Sequence, residues 1–290
     1  MAILAFDIGG TAVKYGLYKN HVLQEKSSFL TPNSWDEMLK ELISVREYFT
    51  HEKLEGVAFS SPGAVDTNAG IIRGLSAVPY IHDFEIVKDL EEKLALPVTI
   101  ENDANCAALA ELSFGAAKNI ENVLFFVIGS GVGGAVAISG KLHKGRDLFG
   151  GEFGFMIMGD GKTLSESASP VHVANRFSKE AQIEPALSGK ELFELAEQGN
   201  QEAQDALDGL YNSLARGIFN ASLVVNPDLV LMGGGISCRE DLVFQVVKRL
   251  NDLRKATHAE DMGIPVATCQ FFNDANLLGA VAHFLGNEKK

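Results

Sequence analysis

The stretch AFDIGGTAVKYG, at residues 5–16, returns in altered form 120 residues later as FFVIGSGVGGAV, at residues 125–136. In both copies an apolar run leads into a glycine-rich turn, and alternating small and apolar residues follow, which is the pattern of a β-hairpin. The copies differ in charge, because Asp7 of the first corresponds to Val127 of the second. The repeat predicts one strand–turn–strand unit in each half of the chain.

After each hairpin, the sequence alternates between strand-like and helix-like segments. Ser34, with Glu37 three residues later, is the signature of a helix start, and apolar residues at helical spacing follow it. This alternation predicts an α/β fold. The predicted strands are 2–8, 12–18, 21–30, 56–61, 97–101, 122–128, 133–139, 227–235 and 265–270, and the predicted helices are 34–49, 84–96, 104–115, 164–181, 189–197, 201–225, 239–255 and 275–285.

Chain length favours two domains. The chain has 290 residues, 46% of them apolar, and protein cores beyond about 250 residues tend to divide. We therefore expect two α/β domains, at residues 1–110 and 111–274. The C-terminal segment, residues 275–290, is a candidate to pack back on the first domain.

Composition bears on the class of partner. The net charge of −13 is spread along the chain, whereas nucleic-acid binding needs clustered Lys and Arg, so a small-molecule partner fits better. The three cysteines are far apart, which argues against a disulfide framework or a Cys-X-X-Cys metal site. The apolar N-terminal run meets Asp7 at once and is too short for a signal peptide or a membrane span. We expect a cytoplasmic protein with no nucleic-acid or membrane partner.

The second glycine turn matches a known pattern only in part. Residues 129–134, GSGVGG, fit the G-x-G-x-x-G of dinucleotide-binding sites, but those sites need a helix directly after the turn, and here AVAISGKL alternates as a strand does. A glycine turn between strands can still bind phosphate through backbone N–H groups and a hydroxyl, here of Thr11 or Ser130. Two such turns facing a cleft predict a polyphosphate site, and an ordinary hairpin is the alternative for each turn alone.

Two carboxylates stand where strands are predicted to end. Asp103, in ENDAN at residues 101–105, follows an apolar strand and precedes a helix, and open α/β sheets bind ligands at this edge. It is a candidate general base, with Asn102 beside it as a ligand for sugar hydroxyls. The alternative is that one of these two residues only caps the helix. Asp7 is a candidate Mg²⁺ ligand next to phosphates, or a turn-capping residue.

These motifs, in this order, resemble those of sugar kinases of the ROK family, within the actin-like ATPase and hexokinase superfamily. The resemblance covers almost the whole chain and implies two actin-like, ribonuclease H-like ATPase domains with a cleft between them. It also implies ATP-dependent transfer of the γ-phosphate to the 6-hydroxyl of a glucose-type sugar. The matching motifs are DIGGTAVK (7–14), SPGAVD (61–66), ENDAN (101–105), GSGVGG (129–134), GGEFG (150–154) and NPDLVLMGGG (226–235).

The resemblance implies a role for each candidate residue. Asp103 would be the catalytic base, and Asp7 would position Mg²⁺, directly or through water. The remaining residues would bind one of the two substrates. Those implied for the sugar are Pro62, Gly63, Asn102, Asp103, Glu152 and Glu166, and those implied for ATP are Asp7, Gly9, Gly10, Thr11, Gly129, Ser130, Gly131, Gly234 and Gly235.

The chain departs from the family pattern near the GGEFG motif. The family often has Glu-x-Gly-His there, with a histidine that contacts the sugar and binds zinc, but this chain has Phe155 at that position. A cysteine cluster is also missing from GDGKTLSE, residues 159–166. We therefore expect no zinc site and a loop held by apolar packing instead. The expected anchors are Phe153, Phe155, Met156 and Met158.

Loss of the histidine bears on substrate choice. An enzyme without this polar ligand could accept a substituent at the anomeric oxygen, which predicts glucose or a β-glucoside such as cellobiose as the substrate, with Phe155 packing on the sugar. Phe155 could equally fill the space of the missing histidine. N-acetylmannosamine is the alternative substrate, and a non-catalytic sugar-binding ROK protein is the alternative class. The resemblance also implies a homodimer.

Overall fold

The computed structural model describes residues 1–159 and 161–287, which form two compact units. Unit 1 consists of residues 1–118 and 146–149 together with the chain from residue 273, and unit 2 consists of residues 119–145 and 150–272. The last three residues of the predicted segment 275–290 lie outside the described part, as does Asp160 of GDGKTLSE. The chain thus returns to unit 1 at its C-terminal end.

Helices and strands alternate through both units. The strands are β1 (Ala2–Ile8), β2 (Ala12–Lys19), β3 (Val22–Leu30), β4 (Gly56–Ser61), β5 (Ala64–Asp66), β6 (Ile71–Arg73), β7 (Val98–Asn102), β8 (Val123–Ile128), β9 (Val132–Ile138), β10 (Lys141–Leu142), β11 (Leu229–Gly233) and β12 (Val266–Thr268). The helices are α1 (Trp35–Tyr48), α2 (Ile86–Leu94), α3 (Asp103–Phe114), α4 (Leu164–Ala168), α5 (Pro170–Glu180), α6 (Gly189–Glu197), α7 (Gln201–Val225), α8 (Leu242–Ala256) and α9 (Ala275–Asn287). Within the described residues, no helix is both long enough and apolar enough to cross a lipid bilayer.

The two units contain sheets of the same topology. The strand order is β3-β2-β1-β4-β7 in unit 1 and β10-β9-β8-β11-β12 in unit 2. Each sheet contains an antiparallel hairpin, β1–β2 or β8–β9, that continues into two parallel strands. The repeat in the sequence is therefore a structural repeat, and the predicted α/β fold is confirmed. Both glycine-rich turns join the strands of these hairpins.

Strand β1 is buried along its whole length. Its side chains alternate between two cores, because successive residues of a strand point to opposite faces of the sheet. Leu4 and Phe6 pack in a core that α1 and α2 cover, whereas Ile3 and Ala5 pack in a core that α9 covers. The C-terminal helix thus closes one face of unit 1.

The predicted helix 164–181 was wrong in one respect, because it is two helices separated by Ser169. The Ser169 side chain accepts the N–H of His172 and caps α5, and Pro170 occupies the first helical position, where its missing N–H costs nothing. The Ser169–Pro170 pair is therefore a helix start that ends α4 after Ala168. The short strands β5, β6 and β10 were not predicted.

Gly279, on α9, lies against the backbone of α3, and a Cβ placed on it would overlap with the carbonyl group of Cys106. We predict that Gly279→Ala lowers the free energy of unfolding by about 1–3 kcal/mol, because the two helices would have to move apart. Gly286→Ala is the matched control: it lies in open space on the same helix and should raise stability by up to about 1 kcal/mol. Urea unfolding followed by circular dichroism measures both, and equal stabilities would contradict the close packing of α3 and α9.

Candidate active site

The first glycine turn, between β1 and β2, is fixed by hydrogen bonds within unit 1. Gly9 donates its N–H to the Ala12 carbonyl at 3.1 Å, and a Cβ on Gly9 would come within 2.8 Å of that oxygen. Thr31 donates from Oγ1 to the Gly9 carbonyl at 2.5 Å and from its N–H to the Thr11 carbonyl at 3.1 Å. Gly10 and Thr11 are exposed. The turn therefore presents backbone and a hydroxyl in a fixed geometry, which suits an anion.

Asp7 lies near the end of β1, with only 8% of its surface exposed. Its Oδ1 accepts hydrogen bonds from Ser60 Oγ at 2.8 Å and from Asn276 Nδ2 at 3.0 Å. Among the described residues, no hydrogen bond reaches Oδ2. Both donors are side chains of other elements, which does not fit the turn-capping alternative. A carboxylate oxygen without a protein donor suits Mg²⁺, or a water bound to it, because Mg²⁺ prefers oxygen ligands.

Asp103 is the first residue of α3, and Asn102 caps this helix. Asn102 accepts the Asn105 N–H with its Oδ1 at 3.1 Å. Its Nδ2 donates to Asp103 Oδ1 at 2.9 Å and to the Gly63 carbonyl at 3.0 Å, and the Ala104 N–H donates to the same Asp103 oxygen at 2.8 Å. Asn102 is therefore a helix cap, as one alternative held, and it also orients Asp103.

Burial raises the pKa of Asp103 above its ordinary value, because desolvation disfavours the charged form. The negative charge of Asp7 also raises it, whereas the hydrogen bonds from Ala104 and Asn102 act in the opposite direction. The effect of Asp7 places the two carboxylates in one electrostatic environment within unit 1. A carboxylate with a raised pKa accepts a proton more readily near neutral pH, which suits a general base.

The turn that follows β4 lies beside Asn102. Gly63 in this turn has a φ of +97°, and a Cβ on it would come within 2.9 Å of the His82 ring, so both conformation and space require glycine. His82 Nε2 lies 2.7 Å from Ser76 Oγ. Pro62, at the same turn, is partly buried. Sequence motifs identified Gly63 but gave no signal for Ser76 or His82, whose contacts depend on the fold.

The second glycine turn, between β8 and β9, is held from outside its hairpin. The Gly129 N–H donates to the Gly131 carbonyl at 2.9 Å. Ser169 Oγ lies 2.8 Å from the Gly129 carbonyl and 3.0 Å from the Ser130 carbonyl, and Ser165 Oγ accepts the N–H of the first residue of β9 at 3.0 Å. Ser165 of α4 and Ser169, the cap of α5, therefore fix this turn, and sequence reasoning missed them because they belong to no motif.

A pocket of about 540 Å³ opens beside the second turn and lies within unit 2. Gly129, Gly235 and the side chains of Phe193 and Arg239 line it. The Arg239 guanidinium lies 4.2 Å from the centre of the Phe193 ring and forms an ion pair with Glu197 at 3.1 Å. An aromatic ring and a planar cation at a pocket wall offer flat surfaces on which a purine base can stack.

The turn after β11 also belongs to this site. Gly234 has a φ of +82°, and a Cβ on it would overlap with the carbonyl of Ile128 at the end of β8. Only glycine therefore fits between the two strand ends. The structure brings Gly129 and Gly235 to the same pocket, and the predicted contacts of both glycines with ATP stay predictions. Phe193 and Arg239 were not predicted, because no local pattern marks them.

Glu152 and Glu166 are both exposed on unit 2. Glu166 Oε2 accepts the N–H and the hydroxyl of Thr163, each at 2.8 Å, and these bonds lower the pKa of Glu166. They form the capping box of α4, so this carboxylate stabilises its own helix. Glu152 precedes a single turn of 3₁₀ helix, Phe153–Phe155. The sugar contacts of both glutamates stay predictions.

The loop around this 3₁₀ turn is packed at three of its four expected anchors. Phe153 is buried and stacks on Phe126, with ring centroids 4.3 Å apart and planes 13° from parallel. Met158 is buried and Met156 partly buried in the same core. Phe155 is 65% exposed, so the prediction that it anchors the loop was wrong. A 3₁₀ turn takes three residues, so positions 153 and 155 point in different directions.

Among residues 1–159 and 161–287, no group of three or more His, Cys, Asp or Glu side chains is arranged to hold a metal ion. All three cysteines are free. The zinc-free expectation stays a prediction, since Asp160 of the same loop lies outside the described part. A Mg²⁺ ion that arrives with a nucleotide needs only one or two carboxylates, so a single residue such as Asp7 would suffice and its metal role stays a prediction.

The predicted site residues form two groups, one in each unit. The unit 1 group consists of Asp7, Gly9, Gly10, Thr11, Pro62, Gly63, Asn102 and Asp103, and the unit 2 group consists of Gly129, Ser130, Gly131, Glu152, Glu166, Gly234 and Gly235.

Comparison with known proteins identifies the family. The ROK family model matches residues 3–286. The chain is 32% identical to a β-glucoside kinase of Listeria monocytogenes, with 100% of this chain and 99% of that protein covered, and 30% identical to a β-glucoside kinase of Klebsiella pneumoniae, with 98% and 96% covered. It superposes with a TM-score of 0.91 and 34% identity on a ROK family protein from Streptococcus pneumoniae in complex with sucrose, covering 100% and 99% of the two chains. The chain therefore has the two-domain actin-like ATPase fold and belongs to the ROK family.

Proposed function

We propose that this protein is an ATP-dependent sugar kinase that transfers the γ-phosphate to the 6-hydroxyl of a glucose-type sugar. The observation that carries the proposal is the Asp103 carboxylate, which has a raised pKa and a fixed orientation in the same unit as Asp7. The names of the two relatives from Listeria monocytogenes and Klebsiella pneumoniae support the same class of reaction, since both are β-glucoside kinases. We therefore assign a β-glucoside such as cellobiose as the preferred acceptor.

Asp103 removes the proton from the acceptor hydroxyl as that oxygen attacks the γ-phosphorus, and the bond from the γ-phosphorus to the β,γ-bridging oxygen breaks, so that ADP leaves. The two hydrogen bonds to Oδ1 prevent the carboxylate from rotating, so the base needs no reorientation during transfer. Asn102 and the Gly63 turn adjoin Asp103 and are assigned to the sugar. Phosphoryl transfer demands chiefly positioning and charge stabilisation, which a rigid base and fixed turns provide.

The glycine turns are assigned to the phosphates of ATP. Thr11 and Ser130 are exposed at the two turns and can donate their hydroxyls to phosphate oxygens. Asp7 would hold Mg²⁺ through Oδ2, directly or through water. Mg²⁺, when bound, neutralises charge on the phosphate oxygens. The base and ribose of ATP are assigned to the unit 2 pocket, with the base against Phe193 and Arg239.

Exposure of Phe155 supports the assignment of a β-glucoside. A phenylalanine that only replaced a histidine inside the loop would be buried, but 65% of this side chain is exposed. An exposed aromatic ring beside the Glu152 segment can pack on the second sugar ring of a disaccharide. Phe153 holds the loop through Phe126, so Phe155 is not needed for that purpose.

Location and assembly complete the proposal. We assign the protein to the cytoplasm, because its phosphate donor is ATP and its cysteines are free thiols, as is usual in reducing compartments. A homodimer is proposed as the working form. The exposed side chain of Phe149 supports an apolar contact between copies.

The test is ADP release by the purified protein with Mg·ATP and one sugar at a time: glucose, cellobiose, gentiobiose, N-acetylmannosamine, N-acetylglucosamine, mannose or fructose. Reactions without sugar give the background. Faster turnover with a disaccharide than with glucose is expected. Turnover with monosaccharides alone would reject the β-glucoside assignment, a preference for N-acetylmannosamine would favour that alternative, and no turnover with any sugar would favour the non-catalytic class.

Asp103→Asn keeps the size of the side chain but removes the base. We predict a fall in kcat of about 10²-fold or more, with the dissociation constants of sugar and nucleotide nearly unchanged. Because Asp103 must be ionised to accept the proton, wild-type kcat/KM for the sugar should fall as the pH drops through its raised pKa, above the range of an ordinary aspartate. Near-normal turnover in Asp103→Asn, or a wild-type kcat/KM that does not change with pH in this range, would exclude Asp103 as the base.

Arg239→Ala removes the cation that stacks on Phe193 in the proposed nucleoside pocket. We predict a rise in the KM for ATP of about 3- to 30-fold with little change in the KM for the sugar, because only the nucleotide contacts this wall. Arg249→Ala is the matched control: Arg249 lies over Tyr211 at 5.2 Å and is not among the pocket residues. Steady-state kinetics measures both variants, and equal KM values for ATP would refute the assignment of the pocket.

Phe155→Ala removes the exposed ring that we assign to the second sugar. We expect the KM for cellobiose to rise about 2- to 10-fold while the KM for glucose stays the same, since glucose has no second ring to lose a contact. Ile157→Ala, which truncates a neighbouring side chain that is 70% exposed, is the control. A parallel change for both sugars would indicate that Phe155 shapes the loop rather than selecting the acceptor.

A further inference from the structure

Asp7 receives a hydrogen bond from the far end of the sequence. Asn276, in the first turn of α9, donates from Nδ2 to Asp7 Oδ1 at 3.0 Å. Ser60, which is fully buried in β4, donates to the same oxygen at 2.8 Å. Two donors from two different elements therefore converge on one oxygen of a buried carboxylate.

We propose that Asn276 is a positioning residue that, with Ser60, fixes Asp7 so that Oδ2 faces the metal ion of Mg·ATP; this rests on the proposed kinase function and on the metal role of Asp7. A carboxylate turns easily about its terminal torsion, for which no narrow rotamer exists. Two donors on Oδ1 remove that freedom and leave Oδ2 as the oxygen available to a ligand. Partners of this kind set the affinity of metal ligands without touching the metal.

The packing of α9 makes Asn276 suitable for this role. Leu277 and Ala280 of the same helix are buried in one core with Ile3 and Ala5, which precede Asp7 on β1. The start of α9 is therefore fixed relative to the strand that carries the carboxylate. Gly279 fixes the same helix against α3, which begins with Asp103.

The chemistry of the side chain is also specific. Asn276 supplies an uncharged donor, so it orients Asp7 without neutralising the negative charge that attracts a cation. A lysine or arginine would donate as well, but its positive charge would compete with Mg²⁺ for Asp7. An aspartate has the same shape as asparagine but, when ionised, donates no hydrogen bond and repels Asp7.

The test compares the affinity for ADP in the presence of Mg²⁺ with the affinity in EDTA, by calorimetry, for the wild type and the variants Asn276→Ala and Asn276→Asp. We expect both variants to lose about tenfold or more of the Mg²⁺-dependent gain in affinity, while affinity in EDTA stays at the wild-type value. The Mg²⁺ concentration for half-maximal turnover should rise, and the KM for the sugar should not. Asn287→Ala, at the other end of α9 and bonded to His283, is the control and should behave as wild type.

The outcomes separate this inference from the proposed function. An unchanged Mg²⁺-dependent gain in Asn276→Ala would overturn the inference, and so would an equal loss of affinity with and without Mg²⁺, which indicates a purely structural role. A wild type that binds Mg·ADP but phosphorylates no sugar would refute the kinase while the calorimetry still decides the role of Asn276. A wild type without any Mg²⁺-dependent gain would overturn the metal role of Asp7 and the inference with it.

Discussion

Asp7 lies in a strand that is buried on both faces, and its carboxylate must be given hydrogen-bond donors inside the protein. The structure of unit 1 depends on this requirement. Apolar residues of β1 fill the cores on both sides of the sheet, and Asp7 in the same strand is only 8% exposed in the folded unit. A buried charge without hydrogen-bond partners is strongly unfavourable. One donor, Ser60, comes from the adjacent parallel strand in register with Asp7, and the other, Asn276, comes from the last helix. Unit 1 is therefore completed only by residues at the end of the chain.

The two units share one sheet topology but differ in the polar residues at the corresponding strand ends. Asp7 pairs in register with Ser60, and the corresponding residue of the second hairpin, Val127, pairs with Gly233. Unit 2 thus lacks both the carboxylate and the hydroxyl at this point. Val127 stands in place of the carboxylate and Gly233 in place of the hydroxyl, and Gly233 is followed by Gly234, whose φ is positive, and by Gly235, which lines the unit 2 pocket. The same strand end carries a buried carboxylate in unit 1 and adjoins a pocket in unit 2.

Sequence patterns predicted the helices, strands and caps that depend on neighbouring residues. They did not predict contacts between residues that are distant in the chain. The hairpins, the cap at Asn102 and most helix boundaries follow from patterns within about ten residues, and the motifs located Asp7 and Asp103. Ser169 holds a turn 39 and 40 residues away, and it could have been recognised as a helix start but not as a support for the turn. Arg239, which follows β11, meets Phe193 of α6 only in the folded unit. Contacts between residues that are distant in the chain leave no periodic pattern in the sequence. They can be identified only once the fold is known.

The packing of the GGEFG loop and of the residue that follows it decides which aromatic side chain is buried and which is exposed. Close backbone contacts fix its glycines: a Cβ on Gly151 would collide with Ala135, and one on Gly154 would collide with Val132. The stack of Phe153 on Phe126 adds a contact with the core of unit 2. Phe155, two residues after Phe153, is 65% exposed, so most of its side chain lies outside the core. This exposure is the reason that we propose a contact between the Phe155 ring and the second sugar of a disaccharide acceptor.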